Sequence, residues 1–215
     1  MDQGAIINNK IQTYKLIIAY DGTKYYGWQK QDGGNAFIWI GGVADTLIRS
    51  FKKVFLKEIS ILGASRTDKG VHAHGQVARI RTILDLDPTK IMTAWNYHLP
   101  SDITIKSASK AADLFNPRKD VKQKTYTYRL FTEYPDPFIG RFGWLYPFIK
   151  AVDINTLKKV LALYVGKHDF SSFCRYQEAK SPIKIIDSIE FVYEKTSTPS
   201  YLITIKGPSF AHHQI

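Results

Sequence analysis

Gly63-Ala64-Ser65-Arg66-Thr67-Asp68-Lys69-Gly70-Val71-His72-Ala73 carries a polar loop, residues 65–70, between two apolar, β-leaning runs at residues 59–62 and 75–83. A strand, a loop and a second strand are therefore predicted here. From Ser60 through Ile83 the only acidic side chain is Asp68, and it sits between Arg66 and Lys69. Nearby positive charge favours an ionised carboxylate, the state that covalent catalysis requires. Asp-Lys-Gly is also well suited to an ordinary turn, and composition and spacing alone favour the turn.

Working outward, residues 14–20 form an apolar run that stops at the turn residues Asp21 and Gly22, which predicts a first strand. Ile40, Val43, Ala44, Leu47, Ile48, Phe51, Val54 and Phe55 recur at helical spacing, so an amphipathic helix should cover one sheet face. A shorter helix is expected after Pro88. Residues 122–131 alternate Thr with Tyr as a half-buried strand does. Residues 153–165 read as a helix ended by Gly166, and residues 183–193 and 201–205 read as strands. Strand, helix, strand, strand thus occurs twice with a seam near residues 114–118. This order predicts an α+β fold of two related halves, 1–114 and 115–215, sharing a central antiparallel sheet with helices on one face. No residue-level repeat, low-complexity tract or long linker accompanies it.

The 215 residues suffice for a sizeable core, and 44% hydrophobic content excludes wholesale disorder. Lys plus Arg number 30 against 19 Asp plus Glu, a formal charge of +11, which points to a polyanionic partner because cations gain free energy by displacing counterions from phosphates. Aromatic residues make up 13% of the chain, and rings that are not core can stack on unpaired bases. No basic amphipathic stretch suited to a membrane surface is present. The single Cys174 excludes an intramolecular disulfide and a multi-cysteine zinc site, so a reducing cytoplasm is expected. The N-terminal residues lack an apolar signal core, and the longest uncharged apolar stretch, residues 36–44, is too short for a bilayer. The expectation is a protein neither exported nor anchored.

The loop resembles the G-x-G-R-T-D-x-G-V-H-A motif of TruA-type pseudouridine synthases, matched at Gly63, Arg66, Thr67, Asp68, Gly70, Val71, His72 and Ala73. Ser65 replaces the motif's second glycine, a change expected to alter only local backbone freedom. Tyr20-Asp21-Gly22-Thr23-Lys24-Tyr25-Tyr26-Gly27-Trp28-Gln29 is similar to the family's Y-D-G-T/S-x-Y-x-G-W-Q block. Phe115 with Arg118 resembles its F-x-A-R element, Lys124-Thr125-Tyr126-Thr127-Tyr128 its R/K-x-Y-x-Y strand, and Gly166-Lys167-His168-Asp169-Phe170 its G-x-H-D-F. Two blocks depart. Trp39-Ile40-Gly41-Gly42-Val43 stands in place of T-V-Q-G-x-L, losing the Gln and weakening the helix start. Residues 207–215 resemble G-x-x-F-L-x-x-x-V, after which the family has an Arg that pairs with the catalytic carboxylate and then a helix.

The resemblance implies the pseudouridine synthase fold with RRM-like halves, and isomerisation of uridine to pseudouridine in the tRNA anticodon stem-loop, without a cofactor and in a homodimer. Asp68 would be the nucleophile and Tyr126 the residue against the flipped uracil, relaying a proton. Arg66 would enter the space left by the extruded base. Tyr126 and Tyr128 share a strand face and read equally as core. RNA contacts are expected from Lys24, Tyr25, Trp28, Gln29, Lys69, His72, Arg118, Lys122 and Lys124, with Arg175 a further phosphate contact; taken singly, each cation also fits an ordinary surface charge. For His72, His74, His212 and His213, packing or hydrogen bonding is expected rather than metal ligation. The rival reading is a catalytically silent RNA-binding or chaperone module, because the chain ends before the family's C-terminal Arg.

Overall fold

The computed structural model describes residues 7–29, 41–175 and 181–215. The mixed α+β class expected from the sequence is observed, with three α-helices and three sheets among the described residues. The chain divides into two compact units, Met1–Asp120 and Val121–Ile215. That boundary lies beyond the expected seam because residues 115–118 are stitched to the first unit: Arg79 Nη1 donates to the Phe115 carbonyl at 3.0 Å, and Arg118 Nε donates to the Gly63 carbonyl at 3.3 Å.

The first unit runs β1 (Ile7–Tyr20), α1 (Val43–Phe55), β2 (Ser60–Gly63), β3 (Ala73–Leu84), α2 (Pro88–Asn96) and β4 (Ile103–Lys110). Its strands form one antiparallel sheet in the order β2-β3-β1-β4. Strand alternation turns Tyr14, Leu16, Ile18 and Tyr20 to one face, level with Ala78 and Ile80 of β3 and Ile103 and Ile105 of β4. Val43, Leu47 and Phe51 of α1 and Ile91 and Trp95 of α2 pack onto that same face. Each such side chain contributes about 1.5–3 kcal/mol on burial. Trp95 meets Phe51 edge-on at 4.9 Å and donates its indole N–H to Ser50 Oγ at 2.7 Å, so its polar atom is satisfied within the core. Asp87 caps α2 through the Thr89 and Lys90 amides, with Pro88 in the first helical turn.

The sequence reading omits β4, whose eight residues ITIKSASK hold two large apolar side chains. It is an edge strand, buried only at Ile103 and Ile105, and Asn96 pins it by donating to the Ile105 carbonyl and accepting from the Ile105 amide, each at 2.8 Å. Of the residues expected in α1, Ile40 lies outside the described residues, as does Trp39.

The second unit runs β5 (Lys124–Phe131), β6 (Trp144–Leu145), α3 (Ile154–Ala162), β7 (Gly166–Asp169), β8 (Ile183–Ile186), β9 (Ser188–Glu194) and β10 (Ser200–Gly207). One sheet has the order β6-β5-β10-β9, with only β5 and β6 parallel, and β7 pairs with β8 in a second. The single strand expected over residues 183–193 is two strands in different sheets. The break is at Asp187, whose amide donates to the Lys206 carbonyl at 2.8 Å. Helix α3 is shorter than residues 153–165, because the amides of 163–165 bond three residues back, and Gly166 at φ +108° opens β7. The core here is smaller: Leu130, Ile149 and Phe191, with Ile154, Leu157, Leu161, Tyr201 and Ile203 partly buried against it. Among the described residues no helix is long and apolar enough to cross a membrane.

Candidate active site

The loop between β2 and β3 rests on the strap that follows β1. Trp28 donates its amide to the Thr67 carbonyl at 3.1 Å, and Gly70 donates its amide to the Tyr25 carbonyl at 3.2 Å. Tyr20, at the end of β1, lies 2.8 Å by its hydroxyl from Thr67 Oγ1. Within the loop, the Asp68 carbonyl accepts from the Val71 amide at 3.2 Å, a turn made possible by Gly70 at φ +77°. No Cβ would collide at Gly70, so the backbone angle, not space, selects glycine there. Ser65 has no positive φ and its carbonyl accepts from Gln76 Nε2 at 2.6 Å, which explains why serine serves in place of the family's second glycine.

The same strap caps α1. The Val43 amide donates to the Gly27 carbonyl at 3.0 Å and the Ala44 amide to the Trp28 carbonyl at 2.9 Å. The first amides of a helix lack intrahelical acceptors, so these bonds satisfy groups that would otherwise be orphaned. Gly42 offers no capping side chain; instead Asp45 Oδ2 accepts from its amide at 2.9 Å. Backbone carbonyls therefore offset the weakening expected from glycine at the helix start. Residues 25–28 thus join the helix terminus on one side to the Thr67-Asp68 peptide on the other.

Asp68 is half-buried, whereas Arg66 and Lys69 on either side of it are exposed. Arg66 Nε donates to Gln29 Oε1 at 3.0 Å, which brings together two residues predicted separately. Arg118 is also near. Partial burial, and then the positive charge of Arg66, hold its guanidinium pKa below the ordinary value. Lys69 Nζ lies 5.3 Å from the centroid of the Tyr26 ring, within reach of a cation–π contact. Asp68 is thus a half-buried carboxylate in a pinned turn, with two cations, Arg66 and Lys69, exposed beside it in sequence.

Three of the residues expected to contact RNA are buried or half-buried. Tyr25 and Trp28 are fully buried in the core of the first unit, so neither ring has a face open to a base. The Tyr25 hydroxyl donates to Asp102 Oδ1 at 2.6 Å, and burial, with Asp102 second, raises its pKa well above the usual phenol range. His72 is half-buried with its Nδ1 3.1 Å from the Gly22 amide and 3.0 Å from Asp21 Oδ1, so it ties the loop's end to the turn after β1. Lys24 is exposed in that turn. Sequence reasoning passed over Tyr20 and Gly27 as site residues. The signal for Tyr20 was a hydroxyl on the last core-facing position of β1.

In the second unit Tyr126 is half-buried on β5, opposite Ile205 of β10, with Phe210 edge-on at 5.2 Å and 89°. Tyr128, two residues on, is exposed. Lys122 is exposed, Lys124 is half-buried opposite Gly207, and Arg175 is exposed with its amide bonded to the His212 carbonyl at 3.0 Å. The Asp169 carboxylate accepts from the Ser171 amide at 2.8 Å, and Phe170 is buried, so this pair of the G-x-H-D-F block forms a turn and a core anchor.

Residues 16–118 and 160–215 match the family model of tRNA pseudouridine synthase. The chain belongs to this family of isomerases. The first matched segment contains β1's end, the strap, the Asp68 loop and Arg118, while Lys122, Lys124 and Tyr126 fall between the two segments. The tRNA pseudouridine synthase A of Thermodesulfovibrio yellowstonii is 37% identical over 173 residues, covering 80% of this chain and 65% of its own length. That of Leuconostoc mesenteroides is 34% identical over 210 residues, covering 94% of this chain and 80% of its own. The protein of the same name from Oenococcus oeni is 34% identical over 212 residues, with 95% and 79% covered. The chain thus spans just under two-thirds of the length of the first of these relatives and about four-fifths of the other two.

Proposed function

We propose that this chain isomerises uridine to pseudouridine in the anticodon stem-loop of tRNA, with Asp68 as the nucleophilic carboxylate. Asp68 bonds transiently to the sugar or the base as the glycosidic C1′–N1 bond breaks; the uracil rotates, its C5 bonds to C1′, the carboxylate is released, and the C5 proton is lost as N1 gains one, so composition and oxidation level are unchanged and no cofactor is called for. The observation that carries this reading is the pinned, half-buried Asp68 turn inside a segment that matches the family. A carboxylate held by its neighbours' backbone contacts keeps its geometry without reorganising at the moment of reaction. Arg66, exposed beside it, is assigned to the gap that the extruded base leaves, and Gln29 steers that guanidinium. Tyr126 keeps the role the family suggests, a proton relay beside the uracil.

Lys24, Lys69, Arg118, Lys122 and Lys124 are assigned to phosphates, supported by their charge and by the exposure of all but Lys124. The kinship of the two halves to RRM-like units belongs to the same reading, as do a cytoplasmic location and a homodimer.

The test is turnover on unmodified tRNA transcripts, with pseudouridine detected by chemical labelling. The wild-type chain is expected to form product, and Asp68→Asn to form none while binding tRNA with near wild-type affinity. Product formed by the Asn variant at the wild-type rate refutes the nucleophile. Binding without turnover by the wild type would instead mark an RNA-binding module.

A further inference from the structure

We propose that Tyr20 is a positioning residue for Asp68, acting through the hydroxyl of Thr67. This inference rests on the reading of Asp68 as the catalytic carboxylate. Tyr20 is 4% exposed, the last of four side chains that β1 turns into the core of the first unit. Its ring packs in that core beside Trp28, with centroids 6.2 Å apart. A phenylalanine would fill the same space, so the distinguishing atom is the hydroxyl, and a buried hydroxyl requires a partner. Thr67 Oγ1 is one such partner, at 2.8 Å.

Thr67 immediately precedes Asp68, and its backbone is held independently of its side chain. Its carbonyl accepts from the Trp28 amide at 3.1 Å, and a Cβ on Gly27 would lie 2.1 Å from that oxygen. Residue 67 therefore has contacts on both sides: the strap fixes the carbonyl and Tyr20 fixes the hydroxyl. With both in place, the direction in which the chain enters Asp68 is set by the rigid sheet rather than by the loop. Removing the hydroxyl contact takes away one of these two holds on Thr67 and loosens its side of the turn. The carboxylate one residue on then samples a wider range of positions. Displacements of about 1 Å at a reacting group cost up to roughly a hundredfold in rate.

The experiment compares Tyr20→Phe, Thr67→Val and their double variant with the wild type in single-turnover pseudouridine formation, alongside tRNA binding and backbone amide exchange over residues 66–70. Both single variants are expected to lower the chemical rate by about tenfold to a hundredfold with tRNA affinity within about twofold. The double variant should lose less than the sum of the two singles, because both remove the Tyr20–Thr67 contact. Thr67→Ser keeps a hydroxyl and should recover most of the rate. Amide exchange in the loop should quicken in Tyr20→Phe and Thr67→Val but not in Thr67→Ser. Additive losses, a wild-type rate in Tyr20→Phe, or unchanged loop exchange overturn the proposal. Thr67→Val leaves the core ring in place, so a poorly folded Tyr20→Phe does not remove the test. Asp68→Asn in the same assay separates the two readings: an active Asn variant overturns the catalytic assignment, whereas an inactive one beside a fully active Tyr20→Phe overturns only the role of Tyr20.

Discussion

Gly27 faces the carbonyl of Thr67 so closely that a Cβ on Gly27 would sit 2.1 Å from that oxygen and 2.9 Å from the Asp68 carbonyl carbon. The backbone at Gly27 also has φ +91°, a region that side chains strain to enter. Gly27→Ala therefore has two costs, one conformational and one steric, and relief of the clash must push the Thr67-Asp68 peptide away. The expected result is a loss of about 1–3 kcal/mol in urea unfolding together with a fall in pseudouridine formation larger than the stability loss explains. Unchanged stability and turnover in this variant would show that the strap does not bear on the loop.

Tyr25 makes stability depend on alkaline pH. In the folded chain burial, and secondarily the bond to Asp102, raise its pKa, while in the unfolded chain the phenol titrates near the ordinary value of 10.0. Above that value the unfolded state releases a proton that the folded state retains. Stability is therefore fully present below pH 10, falls as pH rises past it, and continues to fall until the raised folded value is reached. Tyr14, raised chiefly by burial, acts in the same direction. Tyr25→Phe is expected to make the fall in unfolding free energy shallower by up to about 1.4 kcal/mol per pH unit, without removing it. Parallel curves for the two proteins between about pH 9 and pH 11 would contradict the assignment.

The parts of the fold legible in the sequence were those with strong periodicity. Residues 14–20 announced β1, and the apolar residues from Val43 to Phe55 announced α1, because each element buries one regular face. β4 was illegible because an edge strand with two buried side chains carries almost no alternation. The division of residues 183–193 into β8 and β9 depends on a backbone bond from Asp187 to Lys206, which no local pattern encodes. The site divides in the same way. Asp68, Arg66 and Gln29 were recognisable by motif. Tyr25 and Trp28 belong to an equally recognisable block, yet a motif does not say whether a ring faces RNA or core, and here both are core. The strap's work is done largely by backbone amides and carbonyls, so its role in holding the loop had no side-chain signature at all.

Arg118 offers the clearest separation of phosphate contact from scaffold. Its Nε bonds the Gly63 carbonyl, and it lies close enough to Arg66 that the like charge adds to partial burial in lowering its pKa. Two guanidiniums near one another repel, and a phosphate beside them relieves that repulsion while releasing its own counterions. Arg118→Ala is thus expected to weaken tRNA binding and to reduce the slope of log affinity against log salt by about one. Trp28→Phe supplies the contrast: the ring is fully buried, so its replacement should lower unfolding stability and leave the salt slope at the wild-type value. The measurement is tRNA affinity across a salt series for the three proteins. A wild-type slope in Arg118→Ala would remove Arg118 from the phosphate contacts, and a loss of tRNA affinity in a stably folded Trp28→Phe would return Trp28 to the RNA contacts.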